Sequence, residues 1–386
     1  MSTLKKLRSI SDHHISDKRI LLRVDFNVID IVDNTIKHIK KIEDSIPTIN
    51  MLLKNNNRLI LISHSSDSKK SLKPILPILQ KLLMDIPVTF IDDFTQQEAL
   101  DKINAQQPNE VILLENIRFY PGEEKNDRDF AEKLSKLGDV FINDAFGVSH
   151  RKHASSWGLT QFLPSYAGLL LVKEVRTILS AIDNPQRPLI VIIGGTKIST
   201  KIKFITTLLG KADRVLLGGA LANTLLAAQK IDIGKSLYEV DQIPIAESVL
   251  NSQYKDKLCL PSDALIDLPY SNVGIHSILK EASIFDIGKE TVHRYSDIIS
   301  SSKTIIWNGP LGKFEDKRFE HGTRGVFDAI VENNTATSIV GGGDTIPAIE
   351  DLPGKEHITH ISTGGGAMLE LIEDETLPCL EPLYEA

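Results

Sequence analysis

Ser338-Ile339-Val340-Gly341-Gly342-Gly343-Asp344-Thr345 and Ile361-Ser362-Thr363-Gly364-Gly365-Gly366-Ala367-Met368-Leu369-Glu370 are two copies of one physical unit. Each is an apolar run, three glycines and then a helix-like segment. Glycine has no side chain, so its backbone N–H can approach a ligand closely and its turn can take a positive φ. A loop of this kind that opens a helix is a natural phosphate cradle. Asp344, ending the first cradle, is placed to hold the magnesium that accompanies a nucleotide polyphosphate. Two tight strand-to-helix turns with no ligand are the bland alternative. The duplication, with an acid attached to one copy, tilts the reading toward nucleotide binding.

Working outward, short apolar runs recur with helical patterns between them: Arg58–Ser63, Val88–Asp92, Val111–Glu115, Val140–Asp144, Leu189–Ile193, Arg214–Leu217, Thr304–Trp307, Ser338–Val340 and His357–Ser362. Most are continuous rather than alternating, as in strands buried on both faces of a parallel sheet. The spacing leaves room for crossover helices, so the class is α/β with doubly wound parallel sheets. Open α/β sheets bind ligands beyond the carboxyl ends of their strands. The polar clusters at those ends differ between the halves: rich in Arg, His, Asp and Asn before about residue 165, rich in Gly with Lys197 and Lys201 after about residue 190. Between them Leu170, Val172, Val175, Leu179 and Ile182 recur at roughly helical spacing, and Asn184-Pro185 stops the run. The domain junction is expected there, with one half built for a small anion and the other for a nucleotide.

The 386 residues are enough for two or three domains. The net charge of −7, with no long like-charge tail, gives no support to a nucleic-acid or polybasic membrane role. Cys259 and Cys379 lie far apart without metal-ligand spacing and read as reduced thiols. No apolar run reaches membrane-spanning length and the first residues lack a signal-peptide core, so a cytoplasmic protein without membrane partners is expected.

Familiar nucleotide fingerprints are absent. Gly234-Lys235-Ser236 looks like the end of a P-loop, but Gln229 stands where that motif needs glycine, and no G-x-G-x-x-G follows a strand. Gly194-Gly195-Thr196-Lys197-Ile198-Ser199-Thr200-Lys201 follows an apolar run, and a helix starting here would set Lys197 and Lys201 on one face above the glycines. Fixed cations of that kind suit a transferring phosphoryl group; a solvated two-lysine face is the alternative. In the first half, Arg23–Asn27, Glu115–Phe119 and Ser149–His153 each end or follow an apolar run. Converging cations at one sheet edge would make a phosphate and carboxylate site.

With these residues in hand, the chain resembles the phosphoglycerate kinases over essentially its whole length. The resemblance is carried by Arg23–Val28, Leu113–Glu124, Asn143–Ser155, Gly194–Ile202, Leu260–Asp263, Trp307–Glu315, Gly341–Thr345 and Ser362–Glu370. It implies two Rossmann-like domains joined by a hinge helix: 1–168 for 3-phosphoglycerate, 169–184 as the helix, 185–369 for the nucleotide, and a tail from about 370 to 386 packing back on the first domain. It implies a monomeric glycolytic enzyme that transfers the acyl phosphate of 1,3-bisphosphoglycerate to ADP with Mg2+, reversibly, after hinge closure. By the same resemblance Asp25, Asn27, His64, Arg118 and Arg151 contact 3-phosphoglycerate, and His150 and His153 belong to the basic patch. Arg23, Lys41 and Lys197 are the catalytic cations, and Lys201 reaches the nucleotide phosphates. Gly194, Gly195, Gly218, Gly219, Asn308, Pro310 and Glu315 form the nucleotide pocket, with Glu315 at the ribose. Gly341, Gly342, Gly343, Asp344 and Thr345 form the phosphate loop, with Asp344 on the metal, and Gly364, Gly365 and Gly366 open the facing helix.

Two departures fall in the first half. Where the family reads Ser-His-Leu-Gly-Arg-Pro, this chain has Ser63-His64-Ser65-Ser66-Asp67-Ser68, so a substrate arginine becomes Asp67. A carboxylate about 4 Å from a phosphate is repelled by roughly 4 kcal/mol per unit charge pair at an effective dielectric near 20. At Lys41 the family has an arginine, and lysine keeps the charge but loses the bidentate fork. Lys69 or Lys70 is a candidate to compensate. Ala220 for a glycine and Asn223 for an aromatic residue are smaller changes at the adenine pocket. Besides a working kinase, two readings stand: a nucleotide-binding regulatory protein with a decayed substrate site, and a kinase for another carboxylated or acyl phosphate substrate.

Overall fold

The computed structural model describes residues 5–29, 36 and 39–385. The chain divides into two units, Met1–Arg176 with Thr376–Ala386, and Thr177–Glu375. In the first unit the strands are β1 (Arg19–Arg23), β2 (Arg58–Ile62), β3 (Val88–Ile91), β4 (Val111–Leu114), β5 (Val140–Asn143) and β6 (Ser165–Ala167). They form one parallel sheet in the order β3-β4-β2-β1-β5-β6. The helices are α1 (Lys40–Leu53), α2 (Leu76–Leu83), α3 (Gln97–Ala105), α4 (Arg128–Ser135) and α5 (Leu169–Asp183), the last spanning the division between units.

The continuous apolar runs follow from burial on both sheet faces. Ile20, Leu22, Leu59 and Leu61 pack in one cluster with α1 and α2, while Leu21, Ile60 and Ile62 pack in another with Phe94, Ile103 and Leu134. Successive side chains of a strand point to opposite faces, so every position must be apolar. Full burial of each contributes about 1.5–3 kcal/mol relative to exposure. The segment after Glu375 joins this unit: Arg8 N–H donates to Leu383 O, Cys379 N–H to Ser149 O, and Leu7 bridges Tyr384.

The second unit contains β7 (Leu189–Ile193), β8 (Arg214–Leu217), β9 (Leu258–Cys259), β10 (Asp263–Asp267), β11 (Tyr270–Gly274), β12 (Ile284–Ile287), β13 (Thr304–Asn308), β14 (Thr337–Gly341) and β15 (His360–Ile361). Its parallel sheet runs β15-β14-β13-β7-β8-β9. The helices are α6 (Ile202–Lys211), α7 (Gly219–Ala228), α8 (Ile243–Leu250), α9 (Lys289–Ser300), α10 (His321–Glu332), α11 (Thr345–Ile349) and α12 (Gly365–Asp374). A second, antiparallel sheet, β11-β10-β12, was not foreseen from the sequence. Its outer strand, Tyr-Ser-Asn-Val-Gly, alternates between exposed and half-buried positions and lacks the continuous apolar signature. In both parallel sheets the carboxyl ends of the strands share one edge, and the candidate residues gather there.

Candidate functional site

At the carboxyl edge of the first sheet, β1 ends in Arg23, which is 1% exposed. Its guanidinium Nε donates to Ser155 Oγ at 2.9 Å, one terminal nitrogen donates to the backbone oxygen of Val24, and the other lies 3.2 Å from His64 Nδ1. Ser155 Oγ donates onward to Glu123 Oε1 at 2.6 Å, and Ser155 N–H donates to Glu123 Oε2 at 2.8 Å. Arg23 is therefore buried within the unit and spent on its neighbours. Burial, and then the charge of Arg23, hold His64 well below its ordinary pKa, so its ring is neutral. Because arginine only donates, Nδ1 must accept, and the ring proton sits on Nε2.

Asp25 follows β1. Burial favours its neutral form, but Lys41, with Nζ 3.1 Å from Oδ2, outweighs it and the carboxyl is held at about 2. Lys41 stands in the first turn of α1. Asn27 makes a reciprocal clamp with the loop after β2: its Nδ2 donates to Ser66 Oγ at 2.6 Å, and Ser66 N–H donates to its Oδ1 at 2.8 Å. Arg118, after β4, pairs with Glu124 at 3.1 Å and donates to Ser65 O at 3.4 Å. Arg151, after β5, is exposed and donates from Nε to His150 Nε2 at 3.0 Å. Burial and then Arg151 push His150 down, and burial and then Arg118 push His153 to about 4. The positive charge of this edge thus comes from arginine and lysine, while His64, His150 and His153 are neutral.

Asp67 closes its own turn. Its Oδ1 accepts Lys69 N–H at 2.8 Å, its backbone oxygen accepts Lys70 N–H at 3.1 Å, and Asn116 Nδ2 braces the turn through Asp67 O and Lys70 O at 3.2 and 2.9 Å. The carboxylate fits this turn because a short side chain can satisfy a backbone N–H two residues on. Lys69 is exposed and Lys70 half-buried.

In the second unit the loops after β7, β8, β13, β14 and β15 meet. Gly194 N–H donates to Asn308 O, Gly195 N–H to Pro310 O, and Gly219 N–H to Leu311 O, at 2.8–3.0 Å. The crossing at Gly194 is close enough that a Cβ there would lie 2.0 Å from Pro310 O. The two glycine triplets touch: a Cβ on Gly365 would lie 2.6 Å from Cα of Gly342, itself at φ +127°. Thr345 Oγ1 accepts Gly309 N–H at 2.7 Å and donates to Gly341 O at 3.0 Å, tying the β13 and β14 loops. Gly364 precedes the first residue of α12, and Gly365 and Gly366 form its first turn. Beside them Asn308 Nδ2 is buried without a protein partner.

Lys197 and Lys201 do not share a helix face. The segment from Gly194 to Lys201 is irregular and α6 starts only at Ile202. Lys201 folds back beneath the glycines, its Nζ donating to Gly194 O at 2.7 Å and Asn308 O at 3.3 Å, whereas Lys197 is exposed. Burial lowers Lys201 to about 8, leaving it a cation at neutral pH. The glycines turn the chain away from the helical path that i, i+4 spacing assumes.

A cavity of about 550 Å³ opens at this edge, lined by Gly195, Gly219, Ala220, Asn223, Leu237, Phe285, Pro310, Leu311, Glu315 and Asp344 among others. Its lining combines apolar side chains, Leu226, Ile275 and Phe285 among them, with glycine-loop residues and Asp344. That mixture suits a ligand with an apolar base and polar phosphates. Of the candidates, Gly195, Gly219, Pro310, Glu315 and Asp344 line the cavity, whereas Gly218, Gly343 and the remaining loop residues do not. Asp344 is exposed and makes no side-chain cap bond to α11. Among the described residues no cluster of three or more His, Cys, Asp or Glu is placed to hold a metal. A magnesium here would take Asp344 together with nucleotide oxygens, as that ion commonly does.

Glu123, Ser155 and Asn116 fall inside segments singled out in the sequence but carry no assigned role there, and Glu239 is not singled out; all four tie loops of the site through hydrogen bonds.

The chain matches the family model for phosphoglycerate kinase over residues 10–375. It is 44% identical over 397 residues to the phosphoglycerate kinase of Herpetosiphon aurantiacus, covering 98% of this chain and 99% of that one. To that of Moorella thermoacetica it is 41% identical over 394 residues, with 98% and 99% covered. Among solved structures it resembles the phosphoglycerate kinase of Coxiella burnetii, with TM-score 0.85, 34% identity and 98% and 99% of the two chains covered. The enzyme of Pyrococcus horikoshii gives TM-score 0.86 at 32% identity, with 97% and 98% covered. With matched sequence and fold along nearly its whole length, this chain belongs to the phosphoglycerate kinase family.

Proposed function

We propose that this family member transfers the acyl phosphate of 1,3-bisphosphoglycerate to ADP, and in reverse phosphorylates 3-phosphoglycerate from ATP. The observation that carries this reading is the joined pair of glycine triplets, with Lys201 beneath them and the cavity beside them. In the reverse direction a carboxylate oxygen of 3-phosphoglycerate attacks the γ-phosphorus of ATP; the new O–P bond forms as the bond to the β–γ bridging oxygen breaks, and ADP leaves. The attacking carboxylate is already ionised at neutral pH, so no general base is required. What the reaction needs is positioning and positive charge.

Arg118, Arg151 and the Nε2–H of His64 supply donors for the substrate's phosphate and carboxylate, with Asp25 and Asn27 ordering the same loop. Arg118 and Arg151 fit that role through their planar forks. Lys41, which neutralises Asp25, and exposed Lys197 are assigned to the phosphoryl group in flight. Lys201 and the glycine N–H groups take the nucleotide phosphates, and Glu315 the ribose. Bound magnesium, held by Asp344, would neutralise nucleotide oxygens. Transfer requires acceptor and nucleotide to be brought together and shielded from water, and hinge closure between domains is the step proposed for this. On the same reading the protein is a monomeric, cytoplasmic enzyme of glycolysis; no helix of the described residues is long and apolar enough to cross a membrane.

The test is a steady-state assay of ATP plus 3-phosphoglycerate with magnesium, coupled to an NADH-consuming dehydrogenase, alongside calorimetric titration of MgADP. Turnover supports the reading, with a raised KM for 3-phosphoglycerate as the mark of Asp67. MgADP binding without turnover at high 3-phosphoglycerate would defeat it.

A further inference from the structure

Lys197 sits in an irregular loop, and such a loop fixes a cation only if something else holds it. On the upstream side Gly195 N–H is tied to Pro310 O at 2.8 Å. On the downstream side Ile198 is fully buried, and Ser199 is gripped by a residue from a distant segment. Glu239 Oε2 accepts Ser199 N–H at 3.0 Å and Oε1 accepts the Ser199 hydroxyl at 2.5 Å. Both carboxylate oxygens thus bond Ser199, two positions from Lys197; Ile198 N–H also bonds the carboxylate, and the charge of Lys197 itself acts on it. Charge-assisted bonds of this kind are roughly twice as strong as neutral ones.

Glu239 is itself anchored to the nucleotide cavity. Its backbone N–H donates to Thr224 Oγ1 of α7 at 3.2 Å. Two residues earlier, Leu237 lines the cavity and its oxygen accepts Asn223 Nδ2, also a cavity residue, at 3.1 Å. The segment 237–239 is therefore one continuous piece: cavity wall at Leu237, tether of the lysine loop at Glu239. Glu239 does not line the cavity, so its contribution does not come from touching nucleotide.

We propose that Glu239 is a positioning residue that sets Lys197 at the phosphate end of the nucleotide cavity by clamping Ser199. The proposal rests on the reading of Lys197 as the cation for the transferring phosphoryl group. Misplacing such a group by about 1 Å can cost on the order of a hundredfold in rate. Glu239 is half-exposed, so its removal leaves no cavity in the core.

The experiment compares Glu239→Ala, Glu239→Gln, Ser199→Ala, Lys197→Ala and the double variant Glu239→Ala/Lys197→Ala in the full-length enzyme. Each is assayed for kcat by the coupled assay and for MgADP Kd by calorimetry, and thermal melts establish that each is folded. Glu239→Ala is expected to lower kcat by about tenfold to a hundredfold with MgADP Kd nearly unchanged. Glu239→Gln, which still accepts one Ser199 bond, should recover part of that loss, and Ser199→Ala should lose part. The double variant should be no slower than Lys197→Ala alone, because residues acting as one unit are non-additive. If Lys197→Ala is slow while Glu239→Ala keeps wild-type kcat, or if the two losses multiply, the positioning role is wrong and the reading of Lys197 stands. If Lys197→Ala keeps wild-type kcat, both fall together.

Discussion

The guanidinium of Arg23 lies 3.2 Å from Nδ1 of His64, and both groups are buried. A permanent cation donating to Nδ1 fixes the tautomer and opposes protonation of the same ring. His64 is therefore a neutral donor through Nε2 across the working pH range. Across pH 6 to 8, two-dimensional NMR of labelled His64 should show a neutral ring carrying its proton on Nε2. A resonance that titrates near 6.5 would contradict this. Arg23→Lys, which loses the fork that reaches both Ser155 and His64, should raise the KM for 3-phosphoglycerate without changing MgADP affinity.

Asp67 caps a turn and puts a carboxylate where the family reads arginine. Asp67→Asn keeps an oxygen for Lys69 N–H and removes the carboxylate, so it separates the two roles. It should lower the KM for 3-phosphoglycerate several-fold with little change in stability, the half-exposed site being partly screened. Asp67→Arg should lower KM further but cost about 1 kcal/mol of stability through the lost cap. An unchanged KM in both variants would show that Asp67 does not face the substrate.

Burial pushes Asp144 to about 7, while its Oδ1 accepts Leu171 N–H at 3.1 Å in the first turn of α5. An acid whose folded pKa is raised holds its proton in the folded state while the unfolded chain has lost it. Its stabilising contribution is full below about pH 4, falls as pH rises, and is gone above about 7. Asp286, pushed by burial to about 8 beneath Gly322 N–H of α10, extends the same decline. Asp144→Asn should flatten the fall in Tm between pH 4.5 and 7.5 and stabilise the neutral-pH protein, the effect being on the order of a few kcal/mol at most. A Tm profile parallel to wild type would refute the assignment.

Gly194→Ala puts a methyl into the Pro310 carbonyl, and no side chain can rotate away from that contact. The loops after β7 and β13 must separate, disturbing the carbonyls that hold Lys201. MgADP Kd should rise at least tenfold, while 3-phosphoglycerate binding, measured by calorimetry without nucleotide, is preserved. Wild-type MgADP affinity would mean that the crossing does not shape the phosphate end.

The parallel strands were legible because a strand buried on both faces leaves little choice of residue, as Ile190 to Ile193 illustrate. The glycine triplets were legible because their contact at Gly342 and Gly365 excludes any Cβ. The outer strand Tyr270–Gly274 was not, since half-exposed residues carry no apolar signal. The lysine pair misled because i, i+4 spacing presumes a helix, and the chain between Gly194 and Lys201 is not one. Arg23, Ser155 and Glu123 could not be linked in sequence, since a fully buried arginine is spelled like a surface one and its partners lie far along the chain.

The first unit is not continuous in the chain: the whole of the second is threaded between Arg176 and Thr376. During synthesis Ser149, Arg8 and Leu7 leave the ribosome long before Cys379, Leu383 and Tyr384, which complete their hydrogen bonds. The nascent first unit must wait, with that surface uncovered, while an entire second core is translated. Its closing segment thus makes completion of the first unit a late event in synthesis, following translation of the second.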